Sequence, residues 1–395
     1  MRLRALLPLA VVALAGASTL APPRPEAIGT HVHAELQPRH HHAEQGVQLT
    51  QHHHITAIVS DVEDVREQEQ PLQQQQQRPP LLSPARKQKA KVAFYFALWY
   101  ALNIAYNIAN KRALNALPLP WTVGTAQLGA GAVWVGAQWL LRIRAAPVLE
   151  RGALRRVLPV AAFHGGGQVA TVLSLGAGAV SFTHIVKAAE PLFSALVAAV
   201  AFGQVFKPQV YAALLPVVGG VAVACAKELN FSWVSFVAAM SSNLFFALRA
   251  NYSKVLMQKR LGRNVEPANL YALITMVAFV LCLPLALAAE GALVGPAWGQ
   301  GVKDLAGVVA RPRAQLAWLV ALSGLTHYLN NEVMYLALGS VHPVTLAVGN
   351  TLKRVFIIVA SLVVFRNPIT PAGAAGSAVA IAGVQLYSWA RQRYS

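Results

Sequence analysis

Between residues 91 and 390 the chain is built from ten apolar runs, parted by short breaks that carry Pro, Gly or cations. The runs fall at 91–110, 120–141, 156–175, 180–201, 208–226, 231–249, 268–289, 314–336, 342–363 and 370–390. Most approach the ~20 residues a helix needs to cross a bilayer. They are continuous rather than alternating, which argues against a membrane β-barrel. The longest gap, 291–313, has room for a short surface helix, and none of the breaks could hold a soluble catalytic domain. Composition agrees. Only 12% of the 395 residues are charged, against about 25% in a typical soluble domain. The pattern predicts an all-α polytopic membrane protein with ten transmembrane helices.

Three cations stand out against this background. Lys353 and Arg354 sit side by side in HPVTLAVGNTLKRVFIIVASLVVF, and Lys187 lies in AVSFTHIVKAAEPLFSALVAAV. Each costs at least ~2.5 kcal/mol at the centre of a membrane helix. From residue 91 onward there are only seven acids, Glu150, Glu190, Glu228, Glu266, Glu290, Asp304 and Glu332. Lys187 and Glu190 are three residues apart and can pair on one helix face. That pairing would leave Lys353 and Arg354 with no acid in their own span. The excess of buried positive charge calls for an anionic ligand, and a phosphate group suits it: Lys supplies a point charge and Arg a planar fork of donors.

Polar side chains elsewhere in the runs add candidates. His184 shares the helix face of Lys187. The third run carries His164, Gln168, Thr171 and Ser174. These read either as hydrogen-bonding partners of a phosphate or sugar oxygen, or as contacts between helices beside the small residues Gly165, Gly166 and Gly167; Thr171 is assigned to the ligand. The eighth run holds His327, Tyr328, Asn330, Asn331 and Glu332. Asn330 or Asn331 is expected to line a cavity, and Glu332 to brace or gate it by pairing with a cation. In the sixth run, Asn243, Arg249, Asn251 and Lys254 read as boundary anchors whose long side chains reach the headgroups.

The formal charge of +18 does not indicate nucleic acid, because the cations cluster between apolar runs, as in LRIRAAP, RGALRRV and KVLMQKRLGR, where they set membrane orientation. Cys225 and Cys282 lie in apolar runs and read as unpaired core residues. No nucleophile–base pair or metal-ligand spacing appears, so neither an enzyme nor a cofactor or metal is expected. The chain also repeats. Phe202, Pro208 and Gly220 return as Phe365, Pro371 and Gly383, each at an offset of 163. Five spans separate the copies, and an odd number forces opposite orientations, the inverted-repeat plan of many secondary transporters. The halves are 91–226 and 227–392.

Ahead of them, residues 1–20 have the basic start, apolar core and small-residue end of a signal peptide. Residues 21–90 are low-complexity and hold eight of the twelve histidines. The runs at His40, His41, His42 and at His52, His53, His54 lack the Cys or fixed spacing of a closed metal site, and the segment reads as a linker or targeting sequence.

The stretches AVSFTHIVKAAEPLFSAL, ELNFSWVSFVAAMSSNLFFALRANYSK and VGNTLKRVFIIVASLVVFRNPIT resemble the plastidic phosphate translocator family, of the drug/metabolite transporter superfamily, over about residues 91–392. The resemblance implies ten helices in two inverted halves and exchange of a phosphorylated metabolite for inorganic phosphate by alternating access. The metabolite could be a triose phosphate, 3-phosphoglycerate, phosphoenolpyruvate or a sugar phosphate. It places phosphate-binding roles on Lys187, Lys353, Arg354 and Thr171. Two positions depart from the triose-phosphate pattern: Gln168 stands where that pattern has His, and Asn330 where it has Tyr. They join His164 and His184 as candidates for reading the rest of the substrate. The resemblance further implies a plastid (chloroplast) envelope location, a monomer or weak dimer, and lipid as the other partner. The bipartite front end is similar to targeting sequences of algal plastids with extra membranes, and also suits a Golgi or ER membrane. The alternatives are a nucleotide-sugar transporter and a structural membrane protein.

Overall fold

The computed structural model describes residues 84–338, 343–367 and 369–394. The expected signal peptide at 1–20 and the His- and Gln-rich tracts of 21–90 lie outside the described residues. The described chain is helical almost throughout. In order come α1 (Pro84–Ala116), α2 (Pro120–Leu140), β1 (Val148–Leu149), α3 (Ala153–Ala177), α4 (Val180–Lys187), α5 (Glu190–Phe202), α6 (Pro208–Ala212) and α7 (Leu215–Ala226). There follow α8 (Trp233–Met257), β2 (Gly262–Arg263), α9 (Pro267–Ala306), α10 (Pro312–Leu338), α11 (Pro343–Phe365) and α12 (Pro371–Tyr394). The repeated opening on proline has a simple cause. The first helical residues have no intrahelical partner for their N–H, so a proline there loses nothing and arrives with its φ already set.

Six helical segments among the described residues are long and apolar enough to cross a membrane: Ala90–Ala116, Ala153–Ala177, Val180–Phe202, Pro208–Ala226, Trp233–Met257 and Pro267–Ala306. The other expected runs, at 120–141, 314–336, 342–363 and 370–390, fall on α2, α10, α11 and α12. Large apolar side chains stand in the open on outward faces, Val200, Leu215, Val280 and Val363 among them. In water such a surface would drive aggregation; in lipid it is the solvated face.

Two features depart from the expected plan. The gap at 291–313 does not hold a separate helix, because α9 runs on to Ala306 through Pro284 and Pro296. Val294, Ala297, Trp298, Val302 and Leu305 pack this extension against the cluster of Leu117, Leu119 and Leu316. That burial offsets the ~3 kcal/mol a proline costs inside a helix. The fold is also not wholly helical. β1 and β2 pair antiparallel, Val148 opposite Arg263 and Leu149 opposite Gly262. Beside them Arg260 Nε meets Glu150 Oε1 at 3.0 Å.

The core sits between α2, α3, α8 and α9. Glu290 of α9 is buried there and accepts from the backbone N–H of Trp121 (3.2 Å) and Thr122 (2.8 Å). It thereby satisfies orphan donors at the start of α2. A second contact joins α7 to α12. A Cβ on Gly220 would collide with the backbone of Gly376 and Ala380, and one on Gly383 with the backbone of Val217. Val217 and Ala380, like Gly220 and Gly383, are 163 residues apart. The contact is therefore reciprocal, each helix offering the other its equivalent residue, as in a two-fold interface.

Candidate functional site

The site begins with a broken helix. Pro191 has no N–H, and its ring would clash with the carbonyl four residues back, which is that of Lys187. α4 therefore ends at Lys187 and α5 starts at Glu190. The turn between them is tightened by bonds from Ala188 N to Ile185 O (3.0 Å) and Ala189 N to Val186 O (3.1 Å). Lys187 thus sits at a helix C-terminus and Glu190 at a helix N-terminus, each at the end its charge favours.

Lys187 is buried, and its Nζ donates to Ser242 Oγ at 2.6 Å and Thr171 Oγ1 at 3.3 Å. The two hydroxyls bond to each other at 2.7 Å. Beneath them the ring of Phe246 lies 4.6 Å from Lys187 Nζ and 5.2 Å from the Arg249 guanidinium. Gly167 makes room for that ring, since a Cβ there would stand 2.9 Å from it. Two of the three glycines expected to permit close packing therefore hold α3 against α8, Gly166 facing Phe245 and Gly167 facing Phe246.

α11 brings Lys353 and Arg354 to the same place. Close approach of α1 fixes its position: Tyr100 donates to Gly349 O at 2.9 Å. Lys353 Nζ lies 4.5 Å from the centre of the Trp99 ring. Arg354 Nη2 donates to Glu190 Oε2 at 2.6 Å. The Lys-Arg pair has no acid in its own span. It has one from another element, and Glu190 pairs with Arg354 rather than with Lys187.

These groups line one cavity of about 730 Å³. Of the expected site residues, Lys187, Lys353, Arg354, Thr171, Gln168, Asn330 and His184 all line it. His164 does not reach it. It is wholly buried behind the wall, and its Nδ1 accepts from Arg249 Nη1 at 2.8 Å. Ser174 is also away from the cavity, bonded to Thr183 (2.8 Å) and Ser235 (3.1 Å) as a contact between helices. Asn330 and Asn331 both line the cavity. Glu332 pairs with Arg144, from the segment after α2.

The sixth run needs correction. Asn243 is buried and donates to Val186 O at 3.0 Å. Arg249 is buried and lines the cavity. Neither is a boundary anchor: residues 242, 246, 249 and 253 follow helical spacing on the one face of α8 that is turned inward. A second group went unread. Asn103, Tyr106, Asn107 and Asn110 of α1 are spaced three and four apart, a polar stripe on an apolar helix that the same spacing would have revealed. Two of them link Asn330 to His184 in a hydrogen-bonded chain. Asn103 donates to Asn330 Oδ1 (2.6 Å), Asn107 donates to Asn103 Oδ1 (3.0 Å), and His184 Nε2 bonds Asn107 Oδ1 (2.7 Å). Since that amide oxygen can only accept, His184 carries its proton on Nε2. Gln168 donates to Tyr106 (3.1 Å) and Gln127 (2.6 Å). Among the described residues no three His, Cys, Asp or Glu gather as a metal site would require.

Lipid-facing helices around an interior cavity rich in cations describe a polytopic membrane transporter of anions. The chain belongs to the Triose-phosphate Transporter family, whose model matches residues 90–388. It is 40% identical over 305 residues to glucose-6-phosphate/phosphate translocator 2, chloroplastic, of Arabidopsis thaliana, covering 77% of this chain and 76% of that one. Phosphoenolpyruvate/phosphate translocator 3, chloroplastic, of Oryza sativa subsp. japonica is 40% identical over 302 residues, 76% of this chain and 74% of that one. Xylulose 5-phosphate/phosphate translocator, chloroplastic, of Arabidopsis thaliana is 37% identical over 308 residues, 77% and 72% of the two chains. The chain is a multi-pass membrane protein of the plastid envelope.

Proposed function

We propose that this protein exchanges a phosphorylated metabolite for inorganic phosphate by alternating access, with two inverted five-span halves, 91–226 and 227–392, moving about the cavity. One observation carries the reading: Lys187 and Thr171 from the first half and Lys353 and Arg354 from the second line a single cavity. The reciprocal packing of Gly220 and Gly383 supports the two-half plan. The phosphate is held by the Lys187, Lys353 and Arg354 cations with the Thr171 hydroxyl. The broken helix and the bonds to Ser242 and Thr171 keep Lys187 in place beforehand, so less ordering is paid on binding. The organic part faces Gln168, Asn330, His184 and the α1 amides, which offer donors and acceptors to hydroxyl groups. A cavity of about 730 Å³ has room for compounds up to a hexose phosphate, within the ~300–1,000 Å³ usual for small-molecule sites.

Glu190 shapes the cycle. In the empty site it partly neutralises the cations through Arg354, and an incoming phosphate competes with it for that guanidinium. Radiolabelled phosphate uptake tests the proposal. Vesicles preloaded with phosphate should take up label and empty vesicles should not. K353A should reduce the preloaded rate at least a hundredfold, about 2.7 kcal/mol. Unchanged exchange in K353A would sink the reading. A panel of glucose 6-phosphate, xylulose 5-phosphate, phosphoenolpyruvate, 3-phosphoglycerate and dihydroxyacetone phosphate, run with Q168H and N330Y, identifies the organic partner.

A further inference from the structure

Two cations on the cavity wall, Arg249 and Lys254, take no part in the proposed phosphate-holding cluster. Lys254 lies on the same face of α8 as Phe246, Arg249, Ala250, Ser253, Met257 and Gln258, a stripe at spacings of three and four. Ser242, which holds Lys187, opens that stripe one turn earlier. At ~1.5 Å per residue Lys254 stands roughly 18 Å along the helix from Ser242, with Arg249 between them. Exposure changes along the stripe. Ser242 and Arg249 are buried, whereas Lys254, Met257 and Gln258 are exposed, so the cavity opens at the C-terminal end of α8.

The opposite end is crossed by hydrogen bonds between helices. Lys111 Nζ donates to Leu175 O (2.8 Å) and Gly178 O (2.9 Å), and Ser235 Oγ donates to Ser174 O at 3.0 Å. At the open end, Lys254 belongs to none of the ion pairs among the described residues. Arg391 adds positive charge beside it, its guanidinium seated 5.0 Å over the Phe206 ring.

We infer that Lys254, with Gln258 beside it and Arg391 behind, forms an outer station that captures a phosphate-bearing anion at the cavity mouth and passes it along α8 by way of Arg249 to Lys187. A lysine that merely snorkels to the membrane boundary would have no reason to lie on the inward stripe. At the mouth, a cation exposed to bulk salt acts on the rate of capture, and steering of this kind changes association rates by ~10- to 1,000-fold and fades with ionic strength. The inference rests on the exchange proposed above. Its ligand chemistry, a phosphate group, is shared by the transported solute and by lipid headgroups; the solute is the ligand assigned.

The test uses the full chain in proteoliposomes of phosphate-free galactolipid, oriented with the Lys254 end toward the bath and preloaded with phosphate. The kcat/KM for external labelled phosphate is measured from about 10 mM to about 300 mM salt, where the Debye length shrinks from ~30 Å to below ~8 Å. K254Q should lower it about three- to tenfold at low salt, the gap closing as salt rises. K254R should restore it. Q258K, which adds a charge one turn further out, should raise low-salt capture, a gain no misfolded protein can show. A K254Q deficit equal at every salt concentration, no gain from Q258K, or an effect confined to vesicles containing phosphatidylglycerol overturns the inference. If the unaltered chain shows no phosphate exchange at all, the antiport reading falls first and takes the outer station with it.

Discussion

Glu190 is the residue on which the empty site depends. Lys187, Lys353 and Arg354 face one cavity, with Arg249 and Lys254 further along its wall, and the Glu190 carboxylate is bound to Arg354 at 2.6 Å. In the exchange proposed above, phosphate takes over part of that bond to be held, and the carboxylate reclaims it when phosphate leaves. Replacing Glu190 by Gln removes the competitor. E190Q should therefore bind phosphate more tightly and release it more slowly, with KM and kcat both down about tenfold, ~1.4 kcal/mol. A raised KM in exchange assays would contradict this. The cations were legible in the sequence because charge inside an apolar run has no innocuous explanation, and Thr171 from its place among the polar positions of the third run. The Glu190–Arg354 pair was not, since its partners lie 164 residues apart. Arg249 was misread because its polar neighbours in sequence, Asn251 and Lys254, suggested a span boundary, while the side chain itself turns inward.

At the scale of elements, the site is set by two local devices, the break at Pro191 and the glycines of α3. Healing the break with P191A would let α4 and α5 run together and swing Lys187 away from Ser242. The expected result is at least a tenfold loss of exchange with little change in thermal stability; full activity would show that the break is incidental. G167A acts otherwise. Its Cβ would stand 2.9 Å from the Phe246 ring, and overpacking of this kind costs ~1–3 kcal/mol. The unfolding midpoint in detergent should fall by a few degrees, about 1–2 °C per kcal/mol for roughly 300 ordered residues, and an unmoved midpoint would refute the packing argument. Apolar length located the helices well, and Pro marked where most of them begin. Apolar length misplaced the end of α9, because the run is interrupted at Glu290 and Gly291 and the burial of Trp298 and Leu305 beyond them could not be foreseen.

For the whole molecule, the meeting of α7 with α12 is the contact that supports the proposed two-half plan. Gly220 and Gly383 each face the partner's backbone with no space for a side chain. G220A and G383A should therefore lower stability by similar amounts, about 1–3 kcal/mol each, and a large effect from one with none from the other would break the equivalence. The offset of 163 could be read from three anchor residues, but that two of them, Gly220 and Gly383, each press on the other's helix could not. The amide chain from Asn330 through Asn103 and Asn107 to His184 reaches from α10 to α1 and α4. On the proposed function, a substrate hydroxyl that docks there takes over a hydrogen bond already made, and on leaving gives it back. The interior then behaves like water held still: the solute trades one solvation shell for another at little net gain. Such a lining keeps affinity modest and departure quick, so the protein can serve as a conveyor and not a trap.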